Sequence, residues 1–264
     1  MKKPFDLSTI PATGSAALLA MALLSGSAVA APSTDAKAIV KAMADYLAKQ
    51  TDLHFAYDTD LDVVTDDLQK VTFASSGDAT ISRPDKLRLS RHGGFTDFDL
   101  ISDGKTVTVN GNKAGLYATT EAPASLADLV QKLDDIGIKS PAADLLGPDA
   151  YDQLIDADAD GKVIGTGYVD GKECTHVAFR SSNVDWQLWV ETGDAPLPCQ
   201  YIITTKHVAQ APQYSIRFSG WSTGVAPAAD TFAFKPAAGA KQVKLDELSG
   251  IDELPDLADQ GDNP

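Results

Sequence analysis

Basic charge, aromatic side chains, cysteines and long apolar runs are all scarce in this chain of 264 residues, and each shortage closes off a class of role. Lys and Arg total 22 against 37 Asp and Glu, for a net charge of −15, which argues against nucleic acid as a partner. The main apolar stretch, Ala16 to Leu24, is shorter than the roughly 20 residues that a membrane-spanning helix needs, so no stable membrane insertion is expected. Catalytic signatures are missing as well. There is no Gly-x-Ser-x-Gly elbow, no Ser-x-x-Lys, no phosphate-cradling glycine loop and no cysteine beside a clear histidine partner, so the chain is not expected to be an enzyme and no cofactor is implied.

Cys174 and Cys199 are the two cysteines. An oxidising compartment invites them to pair. If 173–180, 185–191 and 199–206 form a simple meander, however, a third strand separates the two, roughly 10 Å apart and beyond disulfide reach. The sequence leaves the pairing open. A metal site on the two cysteines is disfavoured, because no histidine or third cysteine stands at ligand spacing. His54, His92, His176 and His207 are scattered through strand-like stretches, with no two spaced to ligate from one helix face. Asp156, Asp158, Asp160 and Gly161 imitate the start of a calcium loop, but position twelve is Gly167 where a bidentate Glu is required. A solvated acidic turn is expected there.

The N-terminus has the layout of a cleavable secretory signal: Lys2 and Lys3, the apolar stretch, then Ala28, Val29 and Ala30, which predict cleavage before Ala31. Loss of residues 1–30 leaves the mature chain more acidic still. No cysteine follows the cleavage point to receive a lipid, so a periplasmic protein without an anchor is expected. Residues 31–245 are predicted to form one domain. Residues 246–264 carry seven acidic side chains and no basic one, and are expected to be a solvated tail.

Within the domain, Ala36, Ile39, Val40, Met43 and Leu47 form the stripe of an amphipathic helix, capped by Ser33 or Thr34. Leu126, Leu129, Val130, Leu133 and Ile136 form a second stripe, opened by Pro123 and Ser125 and closed by Gly137. Residues 141–155 read as short helical turns. Alternating runs at 86–89, 106–109 and 213–219 read as strands, with a last short one at 231–234. Asp103-Gly104 and Asp170-Gly171 are hairpin dipeptides. The order of elements predicts an α+β fold with one curved antiparallel sheet and few helices, which could either fill the sheet's concave side or cover it. Trp186, Leu188 and Val190 share one strand face and Trp189 takes the other. In a ligand cup both faces can be apolar, whereas core packing explains each aromatic taken singly.

The runs Ile81 to Leu89, containing Arg83-Pro84, Ile101 to Lys105, containing Asp103-Gly104, and Phe232 to Pro236 resemble the periplasmic outer-membrane lipoprotein carrier superfamily. With Tyr117, Asp185 to Trp189 and Pro196 to Pro198, the chain is more closely similar to the proteobacterial family called domain of unknown function 2092, predicted periplasmic proteins. The resemblance covers nearly all of the mature chain except the acidic tail. It implies a lipoprotein-carrier-like fold, an open, strongly curved antiparallel half-barrel sheet with a helical lid over its apolar concave face, which takes the acyl moiety of a lipoprotein. Arg83 matches the carriers' arginine that bonds to the lid and holds the empty cavity closed; a surface arginine at a strand end is the alternative. Leu87 matches an apolar cavity position. On this basis the expected wall comprises Arg83, Leu87, Leu89, Leu100, Val107, Val109, Trp186 and Leu188, under helices at 34–50 and 125–136. The expected partner is an apolar acyl ligand or lipoprotein. A sensor or scaffold engaging another envelope protein, through the Trp189 face or the tail, is the alternative, and an enzyme acting on envelope lipids is the third and least supported reading.

Overall fold

A computed structural model describes residues 35–135, 143–155 and 159–248. The signal segment with its cleavage site, Gly137, Asp156 and Asp158 of the acidic turn, and tail residues 249–264 lie outside the described residues.

Helix α1 (Ala36–Ala48) is capped by Asp35, whose carboxylate accepts from the backbone N–H groups of Lys37 at 2.9 Å and Ala38 at 3.4 Å. The cap is thus Asp35 rather than Ser33 or Thr34, because the aspartate adjoining the first turn satisfies its free donors. One face buries Val40, Met43 and Leu47, and the opposite face carries the Lys41–Asp45 pair at 2.8 Å.

Every strand that follows joins one sheet. In chain order they are β1 (Asp52–Val64), β2 (Lys70–Ser82), β3 (Lys86–Gly93), β4 (Asp97–Asp103), β5 (Thr106–Gly111) and β6 (Leu116–Glu121), then β7 (Asp160–Val169), β8 (Lys172–Arg180), β9 (Val184–Glu191), β10 (Pro198–Thr205), β11 (Gln213–Thr223) and β12 (Lys241–Gln242). The spatial order β12-β6-β5-β4-β3-β2-β1-β11-β10-β9-β8-β7 leaves β12 and β7 as edges, so the sheet is open. The β1–β2 hairpin lies at its centre, and β11 closes beside β1 to join the two meanders, with Thr59 opposite Ile216. All pairings are antiparallel except β12 with β6.

Strand alternation sorts the side chains between the two faces. Phe55 and Tyr57 of β1, Ile81 of β2, Leu100 of β4, Trp186 and Leu188 of β9, and Ile216 and Phe218 of β11 are buried on the helix-covered face. Among the described residues, α1, α2 (Leu126–Asp135) and the 143–155 segment with its short helix α3 (Ala150–Leu154) pack there, with Leu245 and Leu248 of a short helical turn beside α2. The opposite face of β3 to β6 is met by the chain after β11. Arg88 donates to the Thr231 carbonyl at 3.2 Å, and the Phe234 ring lies 5.1 Å from that of Tyr117.

One expectation is corrected here, and one pairing left open by the sequence is decided. Residues 231–234 form no strand, because Thr231 N–H and Ala233 N–H bond backward to Ala228 and Asp230 as local turns; the last strand is β12 instead. Cys174 and Cys199 are joined in a disulfide with Cα atoms 6.9 Å apart. The intervening strand is no obstacle: Cys174 pairs with Glu191, the last residue of β9, and a break in register between Pro198 and Gln200 bulges Cys199 out of the β9–β10 ladder. The bridge therefore passes the end of β9 rather than crossing it.

Candidate functional site

The helical elements do not cover the concave face uniformly. Val40, Met43 and Leu47 of α1 fill the half lined by β8 to β11, where Trp186 stacks on Phe179 with ring centroids 4.1 Å apart. At the other end, Leu129 and Leu133 of α2 bury Val107, Val109 and Ala118. Between these two packed regions lies a cavity of about 360 Å³, within the range typical of small-ligand sites. Its floor is Ile81, Leu87, Leu89 and Leu100 of β2 to β4, continued by Phe55 of β1 and Ile216 and Phe218 of β11. Its roof is Leu126, Ala127 and Val130 of α2 together with Asp144, Leu146 and Gln153.

Leu87 and Leu89 lie in mid-sheet on the concave face yet are only half-buried, because the space above them is unfilled. Tyr57 crosses Gly77 so that its hydroxyl donates to the Ser90 carbonyl at 2.7 Å. A Cβ on Gly77 would lie 2.8 Å from that hydroxyl and 1.9 Å from the carbonyl oxygen, so the crossing needs glycine.

Arg83 follows β2 directly and is half-buried. Its Nε donates to the carbonyl of Gln50, just beyond α1, at 3.0 Å, and its Nη2 donates to the carbonyl of Leu146 at 2.7 Å. One side chain therefore ties the β2–β3 turn to the end of α1 and to the roof. Burial lowers its pKa, but a guanidinium starts so high that it remains charged. Ser125 caps α2, its Oγ accepting from Asp128 N–H at 3.2 Å, and Lys132 fastens the helix to the Glu121 carbonyl at 2.9 Å.

Asp144 is an acid in the roof. Burial pushes its carboxyl above the usual range, against the opposing hydrogen bonds from Leu145 N–H and the Tyr201 hydroxyl. Burial, followed by the neighbouring Asp144, raises the Tyr201 phenol in turn.

Of the residues singled out from the sequence, Arg83, Leu87, Leu89 and Leu100 lie on the cavity wall. Val107 and Val109 do not, being packed under α2, and Trp186 and Leu188 are core residues near α1. All eight were placed by strand pattern and resemblance, neither of which says where helices sit on the concave face. The β9 strand is accordingly removed from the cavity, and of the two expected lid helices only α2 roofs it, with the 143–155 segment in place of α1. Sequence reasoning missed Tyr57, Arg91, Asp144 and Phe218. The alternation of Leu87 and Leu89 continued to Arg91, and Tyr214, Ile216 and Phe218 were already one face of a predicted strand, so a signal existed for two of them.

On the outer face, Trp189 is half-buried and stacks on His176 with centroids 3.9 Å apart and planes 8° apart. Burial lowers the histidine's pKa against the opposing bond to Gln187. Among the described residues, no helix is long and apolar enough to cross a membrane.

A family model described as predicted periplasmic protein (DUF2092) matches residues 36–246. The chain belongs to this family. The DUF2092 match runs from the start of α1 to the turn after β12 and so takes in the whole cavity. No curated protein matches the chain. Among solved structures, an uncharacterized conserved protein from Thermus thermophilus is similar at 8% identity and a TM-score of 0.45, covering 79% of this chain and 98% of that one. The lipoprotein LppX of Mycobacterium tuberculosis is similar at 14% identity and a TM-score of 0.44, over 70% and 93% of the two chains. A LolA superfamily protein from Nitrosomonas europaea is similar at 9% identity and a TM-score of 0.35, over 76% and 99%.

Proposed function

We propose that this DUF2092 protein is a carrier-type periplasmic binding protein that holds an apolar acyl chain, of a lipid or lipoprotein, in the cavity between β1 to β4, β11, α2 and the 143–155 segment. The observation that carries the proposal is the unfilled, mainly apolar space over Leu87 and Leu89, with Arg83 fastening its roof. Each methylene moved out of water contributes about 0.8 kcal/mol, so a 16-carbon chain offers roughly 12 kcal/mol before ordering costs. An empty apolar cup left open would be a patch prone to association. A polar latch keeps it shut and yields when a ligand arrives.

On this reading the role is binding and not catalysis, and the protein reaches the periplasm by loss of residues 1–30 before Ala31. A scaffold role toward another envelope protein is favoured by one feature, the Trp189–His176 stack on the outer face. Native mass spectrometry of the protein purified from a periplasm, followed by organic extraction, separates the two. A bound mass that extracts as lipid and changes occupancy in Arg83→Leu supports the carrier role. A clean apo mass with no uptake of added fatty acid or lipopeptide, alongside a stable protein complex, supports the scaffold.

A further inference from the structure

The cavity roof holds a group that a bare hydrocarbon chain leaves unanswered. Leu145 of the short helical turn 143–145 is fully buried in the core, while Asp144 and Leu146 on either side of it line the cavity. The Asp144 carboxylate accepts from uncharged donors: its own backbone N–H, the Leu145 N–H at 3.1 Å and the Tyr201 hydroxyl. A carboxylate takes about four such bonds, so acceptor capacity is left over at a place where burial makes an unmet acceptor costly.

The other charged groups on the wall are differently engaged. Arg83 and Arg91 are guanidiniums, which can donate but not accept. Arg83 gives its Nε and Nη2 to the carbonyls of Gln50 and Leu146, and Arg91 gives its Nε to Ser75 Oγ at 3.0 Å. Asp149, at the exposed end of the roof, accepts from Gln153 Nε2 at 2.8 Å. Two cations already on the wall disfavour a third, so the donor that suits Asp144 is an uncharged one. Among uncharged acyl derivatives, an ester and a secondary amide both present a carbonyl to the arginines, but the amide alone has an N–H to give. An N–H aimed at Asp144 also supports its ionised form against burial.

We propose that the cavity prefers an acyl chain joined through an amide to one joined through an ester, with the amide N–H donating to Asp144 and the chain lying over Leu87, Leu89 and Phe218. This inference rests on the acyl-binding reading and adds the linkage and its anchor.

The test is titration of delipidated protein with N-methyldodecanamide and methyl dodecanoate, which differ by an N–H in place of an oxygen. The readout is the ratio of their affinities compared between proteins, which cancels their unequal hydration. The ratio is expected to fall about tenfold from wild type to Asp144→Leu, the scale of one hydrogen bond to a charged group, and about threefold in Asp144→Asn, which keeps a carbonyl acceptor. Tyr201→Phe removes a competing donor and is expected to hold or raise the ratio. Near-ultraviolet circular dichroism checks each fold, and Asp144→Asn carries the test if Asp144→Leu does not fold. A ratio unchanged in the Asp144 variants overturns the inference and leaves the acyl-binding reading standing. A fall in Tyr201→Phe as large as in Asp144→Leu also overturns it, because roof packing and not the carboxylate would then set the preference. Binding of neither probe overturns the acyl-binding reading and the inference with it.

Discussion

The Nη2 of Arg83 lies 2.7 Å from the carbonyl oxygen of Leu146, a residue 63 positions later in the chain. The same guanidinium holds the carbonyl of Gln50, so the turn after β2 fastens both the end of α1 and the cavity roof. Arg83→Leu removes both bonds and leaves two carbonyls to find other partners. Stability is expected to fall by about 1–3 kcal/mol. Backbone amides of residues 143–155 are expected to exchange hydrogen faster in the variant, while those of β9 keep their protection. Uniform loss of protection would mean that Arg83 supports the fold generally and not the roof.

Core and cavity wall respond differently to truncation. Leu188 is fully buried, so Leu188→Ala is expected to cost about 2–5 kcal/mol. Leu87 faces space that is already unfilled, and Leu87→Ala is expected to cost clearly less while weakening uptake of an acyl probe. Denaturant melts of both variants check this. Equal costs would place Leu87 in a filled core.

The difference between those two leucines also marks how far the sequence could be read. Period-two alternation identified the strands around Leu87, Val107, Leu188 and Ile216, and period-3.6 stripes located α1 and α2. Those local patterns, with the turn dipeptides, were enough for one curved antiparallel sheet with few helices; its openness and the helical cover on one face rested on the family resemblance. They did not say which part of that face each helix fills, because a helix's position depends on contacts between residues far apart in the chain. Val109 and Trp186 satisfied the same alternation as Leu89 and still belong to filled core. The disulfide was undecidable for a related reason: a bulge at Cys199 and the end of β9 are set by sheet register. Arg83 was legible through its Arg-Pro context, whereas Asp144 stood in a segment with no periodic pattern to show that it was roofing a cavity.

The Cys174–Cys199 bridge closes a loop with a sequence separation of 25 residues. On chain-entropy grounds, replacing both with alanine is expected to cost about 3–4 kcal/mol. Mass spectrometry of the unfolded oxidised protein should show the two thiols unreactive until reduced. Free thiols in protein isolated from a periplasm would contradict the bridge.

Asp144 gives the roof a pH dependence of definite sign. Its pKa is higher folded than unfolded, so its stabilising contribution is complete below the ordinary aspartate value of about 3.9 and is lost as pH rises through the folded value. Asp144→Asn keeps an acceptor for Tyr201 but removes the titration. The melting temperature of the variant minus that of the wild type is expected to become more positive from pH 4 to pH 7. Asp103, held low by the backbone N–H of Thr106, acts with the opposite sign in both proteins and cancels from the difference. A pH-independent difference would mean that Asp144 is solvated in the folded protein.

The most direct measurement is photo-crosslinking with a fatty acid that carries a diazirine along its chain, followed by peptide mapping of the adducts. Labelling concentrated on Leu87, Leu89, Phe218 and the Leu126–Val130 stretch of α2, and suppressed by unlabelled fatty acid, is the expected result. Labelling confined to the outer face around Trp189 and His176, or none that unlabelled fatty acid suppresses, would contradict an acyl chain in the cavity.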